Sequence, residues 1–138
     1  MTSEFSVAVH ALVFLNHKAE VVSSENLAQN VCTNAARIRK VMAKLKKAGL
    51  VETKEGIEGG YIFRQNSQDV NLCMIAEALE AAFVSTSWKS GNVEMDCLIA
   101  SGMAGVLSDV YADLDRICHE KVRGITIADL DRKIFGQG

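Results

Sequence analysis

The chain of 138 residues contains no proline, so it carries no proline-rich linker, and no low-complexity tract or internal repeat divides it. It also lacks an apolar run long enough to cross a bilayer. The longest such run near the N-terminus, Val7 to Leu15, contains His10 and is accompanied by neither a basic leader nor a cleavage site. A cytoplasmic protein without membrane contact is expected. Cysteine is sparse and scattered: Cys32, Cys73, Cys97 and Cys118 form no C-x-x-C pair, which excludes a recognisable disulfide framework or structural zinc site. Catalytic patterns are missing as well. No G-x-x-x-x-G-K phosphate loop occurs, and His10, His17 and His119 stand apart from one another with no assembled dyad or triad. Neither enzymatic activity nor a bound metal is expected.

What remains is a chain that is 49% hydrophobic, enough for one ordinary core. Its charge is unevenly divided. The net value is −2, yet residues 32–64 hold eight Lys or Arg (37, 39, 40, 44, 46, 47, 54 and 64) against Glu52, Glu55 and Glu58, a local balance of +5. Residues 1–31 carry −2 and residues 65–138 carry −5. A cationic element inside an anionic chain suits duplex DNA, which rewards it through counterion release. The competing reading is a solvated helix face.

The cationic segment has internal order. Ile38, Val41, Met42, Leu45 and Ala48 recur at helical steps while Arg and Lys fill other positions. Thr33 or Asn34 caps this helix and Gly49 ends it. Leu50 to Lys54 and Tyr61 to Arg64 follow as two β-type runs about the reversal at Gly56, Gly59 and Gly60. Helix then hairpin is the outline of a winged helix-turn-helix.

Five further helices are expected. The first runs from about Glu4 to Lys18, capped by Ser3. The second opens at Ser24 with Glu25 and Asn26 and runs through Val31. The fourth is capped by Asn71 and extends to about Ala82. Val84 to Asp96 is a polar loop, in which Trp88 is expected to be buried, with an effector pocket or a subunit junction as alternatives. In the fifth helix Met103, Leu107, Val110, Leu114 and Ile117 alternate steps of four and three, a seam that faces either its own core or a partner helix. A homodimer reading two half-sites about 34 Å apart is the expectation. Thr126 caps the last helix, Ile127 to Phe135. The fold class is thus mainly α with a small β-hairpin: a winged helix-turn-helix over 1–82, a loop over 83–98, and a long C-terminal dimerisation helix with a short final helix over 99–138.

The motifs H-A-L-V-F-L (10–15), L-K-K-A-G-L-V (45–51), E-G-G-Y (58–61) and I-T-I-A-D-L (125–130) resemble the Rrf-two family of bacterial winged-helix regulators across nearly the whole chain. The resemblance implies a dimeric transcription factor, usually a repressor, binding double-stranded promoter DNA, with the third helix in the major groove, the wing tip at the minor groove and a long helix forming the dimer. On that basis Thr33, Asn34 and Ala35 occupy the start of the recognition helix, near phosphates or base edges. Arg37 is expected to contact a base, while Lys40, Lys44 and Lys47 neutralise phosphates. Gly59 and Gly60 allow close backbone approach, and Tyr61 shapes the hairpin, with core packing and DNA contact both open.

Two departures from the family stand out. Where relatives carry a minor-groove arginine this chain has Glu55, so Lys54 must substitute, and Glu58 adds a second acid to the wing. Cluster-binding relatives hold three closely spaced cysteines before the long helix. This chain has only Cys97 there, with Gly91 and Met103 unable to replace the others, so it is expected to be a cluster-free member with no cofactor. Cys97 lies where amides of the next helix favour a thiolate, opposed by Glu94 and Asp96, and is a candidate redox sensor. Cys32, in the turn before the recognition helix, is the rival, and an inert thiol is the third reading. Cys73 and Cys118 are expected to be structural. A winged-helix module that binds protein instead of DNA is the alternative function; a peroxide-reducing thiol protein is a further one. The effector is not specified by these residues.

Overall fold

In the computed structural model residues 3–136 are described, in the order α1 (Ser3–Lys18), α2 (Ser24–Val31), α3 (Ala35–Lys47), β1 (Glu52–Lys54), β2 (Gly60–Ile62), α4 (Leu72–Ala78), α5 (Leu98–Arg123) and α6 (Ile127–Phe135). Six helices and one hairpin match the expected class. The core is built by the three-and-four spacing on α1 (Val7, Ala8, Ala11, Leu12, Leu15) and α3 (Ile38, Val41, Met42, Leu45), all buried. Each buried leucine or isoleucine there contributes on the order of 1.5–3 kcal/mol over its exposed state.

Several boundaries differ from expectation for local reasons. Ser3 lies inside α1 instead of capping it. Helix α2 opens at Ser24 and ends at Val31 as expected, and Ser23 caps it: its hydroxyl accepts from the Asn26 amide at 3.1 Å. Asn34 caps α3, its side chain accepting from the Arg37 amide at 2.8 Å. Helix α4 stops at Ala78, four residues short of Ala82. Glu80 turns left-handed (φ 53°), and the Ala81 amide closes back on the Ala76 carbonyl at 2.9 Å, a helix-ending motif usually built on glycine. Helix α5 begins at Leu98, one residue before the expected boundary.

The hairpin pairs Glu52 with Ile62, Thr53 with Tyr61 and Lys54 with Gly60. Two short strands alone are marginal in water. Here they are fastened to the α1–α2 connection by a bridge in which Val22 and Tyr61 exchange both amide–carbonyl bonds at 2.9 Å. At Gly60 a Cβ would collide with the Val22 backbone.

Helix α6 returns to the first half of the molecule. Thr126 caps it through a reciprocal box with Asp129 and bridges to Asn71, the cap of α4. Ile127, fully buried, joins the same core cluster as α1 and α3. Helix α5 is the exception: 26 residues long, it has no buried residue.

Candidate nucleic-acid interface

With Ile38, Val41, Met42 and Leu45 buried, the opposite side of α3 is set by helical geometry. Ala36, Lys40, Ala43 and Lys47 lie exposed along its middle. Arg39 and Lys46, also exposed, form one flank. Arg37 and Lys44, both half-buried, form the other. The small side chains at 36 and 43 leave the helix backbone open to close approach, with cations on either side.

The two flanks have different neighbours. On one, Arg39 bonds Ser24 Oγ at 3.2 Å and pairs with Glu25 at 3.8 Å. On the other, Glu4 of α1 holds Lys44 at 3.0 Å and Lys40 at 3.8 Å, while the Arg37 guanidinium donates to Ser3 Oγ. The Lys44 bond, aided by the charges of Lys44, Lys40 and Arg37, keeps the Glu4 carboxyl below its ordinary range against a partial desolvation. Arg37, expected as the outward base reader, is thus turned toward α1. Arg39 and Lys46, which the sequence reading left without a role, stand on the open face. The signal was available: the opposite side of the 38-41-42-45 stripe runs through 36, 40, 43 and 47.

In the wing Lys54 is exposed, and so are Glu55, Glu58 and Ile57, the last entirely. The close approach expected of Gly59 and Gly60 toward DNA is directed inward: a side chain at 59 would meet the carbonyls of Lys54 and Gly56, and one at 60 the Val22–Ser23 backbone. Tyr61 is half-buried in the hairpin, and burial pushes its phenol pKa up. Thr33 and Ala35 are half-buried, and Asn34 is exposed at its cap.

The cysteines do not converge. Cys32 is exposed and occupies a left-handed turn (φ 66°) between α2 and α3. Cys97 is exposed at the N-cap of α5; although its side chain closes no cap hydrogen bond, the amides of Ala100 and Ile99 lower its thiol pKa. Cys118 is half-buried on α5. Cys73 is buried, in company the sequence did not reveal. Its sulfur lies 3.2 Å from Glu77 Oε1, 3.4 Å from an Arg123 guanidinium nitrogen and 3.8 Å from His119 Nδ1. His119 Nε2 in turn faces Asp115 at 3.3 Å. His119 is therefore not isolated, as had been expected. Burial and Glu77 push the Cys73 thiol up, so it rests protonated. Desolvation pushes the Asp115 carboxyl up, but the amides of Val84 (3.0 Å) and Phe83 (2.6 Å), which it accepts, together with His119 hold it low. The cluster pins α4, the start of the loop and α5 together. Trp88, expected to be buried, is 74% exposed, at the edge of a cavity of about 310 Å³ against α5.

On α5, Met103 and Leu107 are half-buried, while Val110 (45% exposed), Leu114 (45%) and Ile117 (53%) are open, continued by Ile99 and Val106. No helix of the described residues is long and apolar enough to cross a membrane.

Fold and basic helix define a winged helix-turn-helix protein of the type found in transcriptional regulators. More particularly, the chain belongs to the Rrf2 family, described as iron-dependent transcriptional regulators, whose model matches residues 1–133. It is 22% identical over 135 residues to YwnA of Bacillus subtilis (strain 168), named as an HTH-type transcriptional regulator, covering 98% of this chain and 99% of the relative. Among solved structures, a transcriptional regulator from Lactobacillus plantarum is 28% identical with a TM-score of 0.87, over 100% of this chain and 93% of that one. IscR of T. potens shares the fold at 22% identity and a TM-score of 0.71, over 100% and 90% of the two chains.

The family description implies iron, and the donor set here does not fit it. Among the described residues no group of three His, Cys, Asp or Glu is arranged to hold a metal ion, and the four thiols sit apart on α4, α5, its cap and the α2–α3 turn.

Proposed function

We propose that the chain is a dimeric, sequence-specific DNA-binding transcriptional regulator that acts as a repressor and carries no iron–sulfur cluster. The observation that carries this reading is the outer face of α3: Ala36 and Ala43 between Arg39, Lys40, Lys46 and Lys47, in a protein whose remainder is anionic. Arg39 is the choice for base contact, since an exposed guanidinium can chelate the acceptor pair of guanine; Lys40, Lys46, Lys47 and, once released from Glu4, Lys44 neutralise phosphates. Arg37, Thr33, Asn34 and Ala35 frame the start of the helix. In the wing Lys54 supplies the one cation at the tip.

Residues 1–82 act as the reader, 83–98 as a loop and 99–138 as the dimerisation part. The open stripe of Ile99, Val106, Val110, Leu114 and Ile117 supports pairing of two α5 helices, since contiguous apolar surface of this kind marks an interface. Cys97 is the sensor candidate that the geometry favours, because helix amides stabilise its thiolate and it is open to solvent; Cys32 is the second. A protein-binding module is the other reading, favoured by Ile57 standing fully exposed between Glu55 and Glu58.

The test is binding of labelled promoter duplexes selected from genomic DNA, followed by anisotropy at several salt concentrations. Affinity falls steeply with salt, and Lys40→Ala or Lys47→Ala each reduces the salt slope by about 1 across all sequences. Arg39→Ala costs about 1–3 kcal/mol and relaxes preference at one position of the site. Absence of duplex binding even in dilute buffer overturns the reading.

A further inference from the structure

The cavity beside Trp88, about 310 Å³, is framed by a segment of chain fastened to α5 at both ends. At one end Asp115 Oδ1 accepts the amides of Phe83 (2.6 Å) and Val84 (3.0 Å). At the other the Asn92 amide donates to the Ala100 carbonyl at 2.9 Å, and Gly91 (φ 70°) passes so near that a Cβ there would meet the same oxygen. Between these ties the loop faces Ala104, Ser108 and Ala112, whose short side chains leave space unfilled. Helical geometry sets these residues on a different side of α5 from the open stripe of Val106, Val110, Leu114 and Ile117. A helix paired along that stripe does not occupy the hollow.

The volume lies at the low end of the range for organic ligands and suits a single ring with its substituents. The lining selects further. Trp88, 74% exposed, and Tyr111, half-buried, offer aromatic surface, and tryptophan is a residue that proteins bury well on average. Ser85, Ser90 and Ser108 add hydroxyls, while that of Thr86 closes a turn on the Trp88 backbone at 3.3 Å. Among the described residues of the lining, Lys89 is the one cation and Asp115 the one acid. Asp115 is already engaged, Oδ1 by the two amides and Oδ2 by His119 at 3.3 Å. The charge left to recognise a ligand is that of Lys89.

The tie at Val84 also leads to the basic helix. Phe83 meets His119 on one side and Phe5 of α1 on the other, each at 5.0 Å between centroids. Next to Phe5, Glu4 holds Lys40 and Lys44 of α3.

We infer that the hollow beside Trp88 is an effector site for a single-ring aromatic acid, and that its occupation reaches the cations of α3 through Phe83 and Phe5. The inference rests on the DNA-binding reading above and adds a ligand class and a route to it. An occupant lifts the loop, presses Phe83 against Phe5, and drives Glu4 onto Lys40 and Lys44, which masks them and weakens duplex binding.

Trp88 is the single tryptophan of the chain, so its emission reports the site in the full-length protein. The probe is 4-hydroxybenzoate, with the uncharged 4-hydroxybenzamide as control. The acid quenches Trp88 and saturates at one site per chain. Lys89→Glu weakens the acid about fivefold, the effect of losing one solvent-exposed ion pair, and leaves the amide nearly unchanged. Ser108→Phe, a change at an exposed helix position that fills the hollow, removes both; circular dichroism checks its fold, and Lys89→Glu keeps the test valid if it misfolds. Saturating acid lowers affinity for the selected duplex, and Phe83→Leu keeps the quenching while abolishing that loss. Emission that ignores the acid, or quenching that survives in folded Ser108→Phe, overturns the site. Acid and amide bound alike, or indifference to Lys89→Glu, overturns the ligand class. Duplex affinity indifferent to bound acid overturns the effector role while leaving DNA binding intact, and a loss that persists in Phe83→Leu overturns the route. A protein that binds no duplex yet takes up the acid in a Lys89-dependent way overturns the functional reading alone.

Discussion

Cys32 occupies backbone that costs a non-glycine residue on the order of 1–2 kcal/mol, and its side chain gains only a long contact to the Gln29 carbonyl, 3.7 Å away. Cys32→Gly should therefore raise stability by about 1 kcal/mol in denaturant unfolding, and retention of oxidant-responsive DNA binding in that variant would leave Cys97 as the sensor. The thiols should also separate by reactivity. Helix amides lower the Cys97 pKa while burial and Glu77 raise that of Cys73. Alkylation followed by mass spectrometry as pH rises should label Cys97 first and Cys73 last; the reverse order would refute the assignment. Glu4 offers a third test. Its folded pKa is depressed, so its contribution to stability is complete above the ordinary carboxylate range and is lost as pH falls through the lowered value. Glu4→Gln should flatten that acid-side loss and, by freeing Lys40 and Lys44, tighten duplex binding at neutral pH.

Caps and steric fits act at the level of the elements. Thr126→Ala removes one half of the box that starts α6 and should cost about 1 kcal/mol by thermal or denaturant unfolding. Most of this level was readable beforehand: Asn34, Asn71 and Thr126 announced their helices, and the period of α3 and α5 gave their apolar sides. The exceptions have physical causes. Nothing at Glu80 announces a left-handed turn, so α4 was read too long. The candidate interface was half legible. Its helix was plain, but the turn of the Arg37 guanidinium toward Ser3 depended on where another helix would lie. The Cys73–His119–Asp115 cluster was illegible, because it brings α4 and α5 together across a loop with no fixed spacing.

The molecule as a whole separates a cationic reader from an anionic remainder and leaves its longest helix unburied. Leu114→Asp at the middle of that helix should give monomers in sedimentation and lower duplex affinity, because two half-sites would no longer be held together; a dimer of undiminished affinity would discard the α5 seam. One last consequence comes from Ile127. Because this residue of α6 completes packing begun by α1 and α3, the reader is not a portable cassette. A fragment stopping at residue 82 would be left with a hole at its centre, and a ribosome must pass Ile127 before the basic helix has its full support.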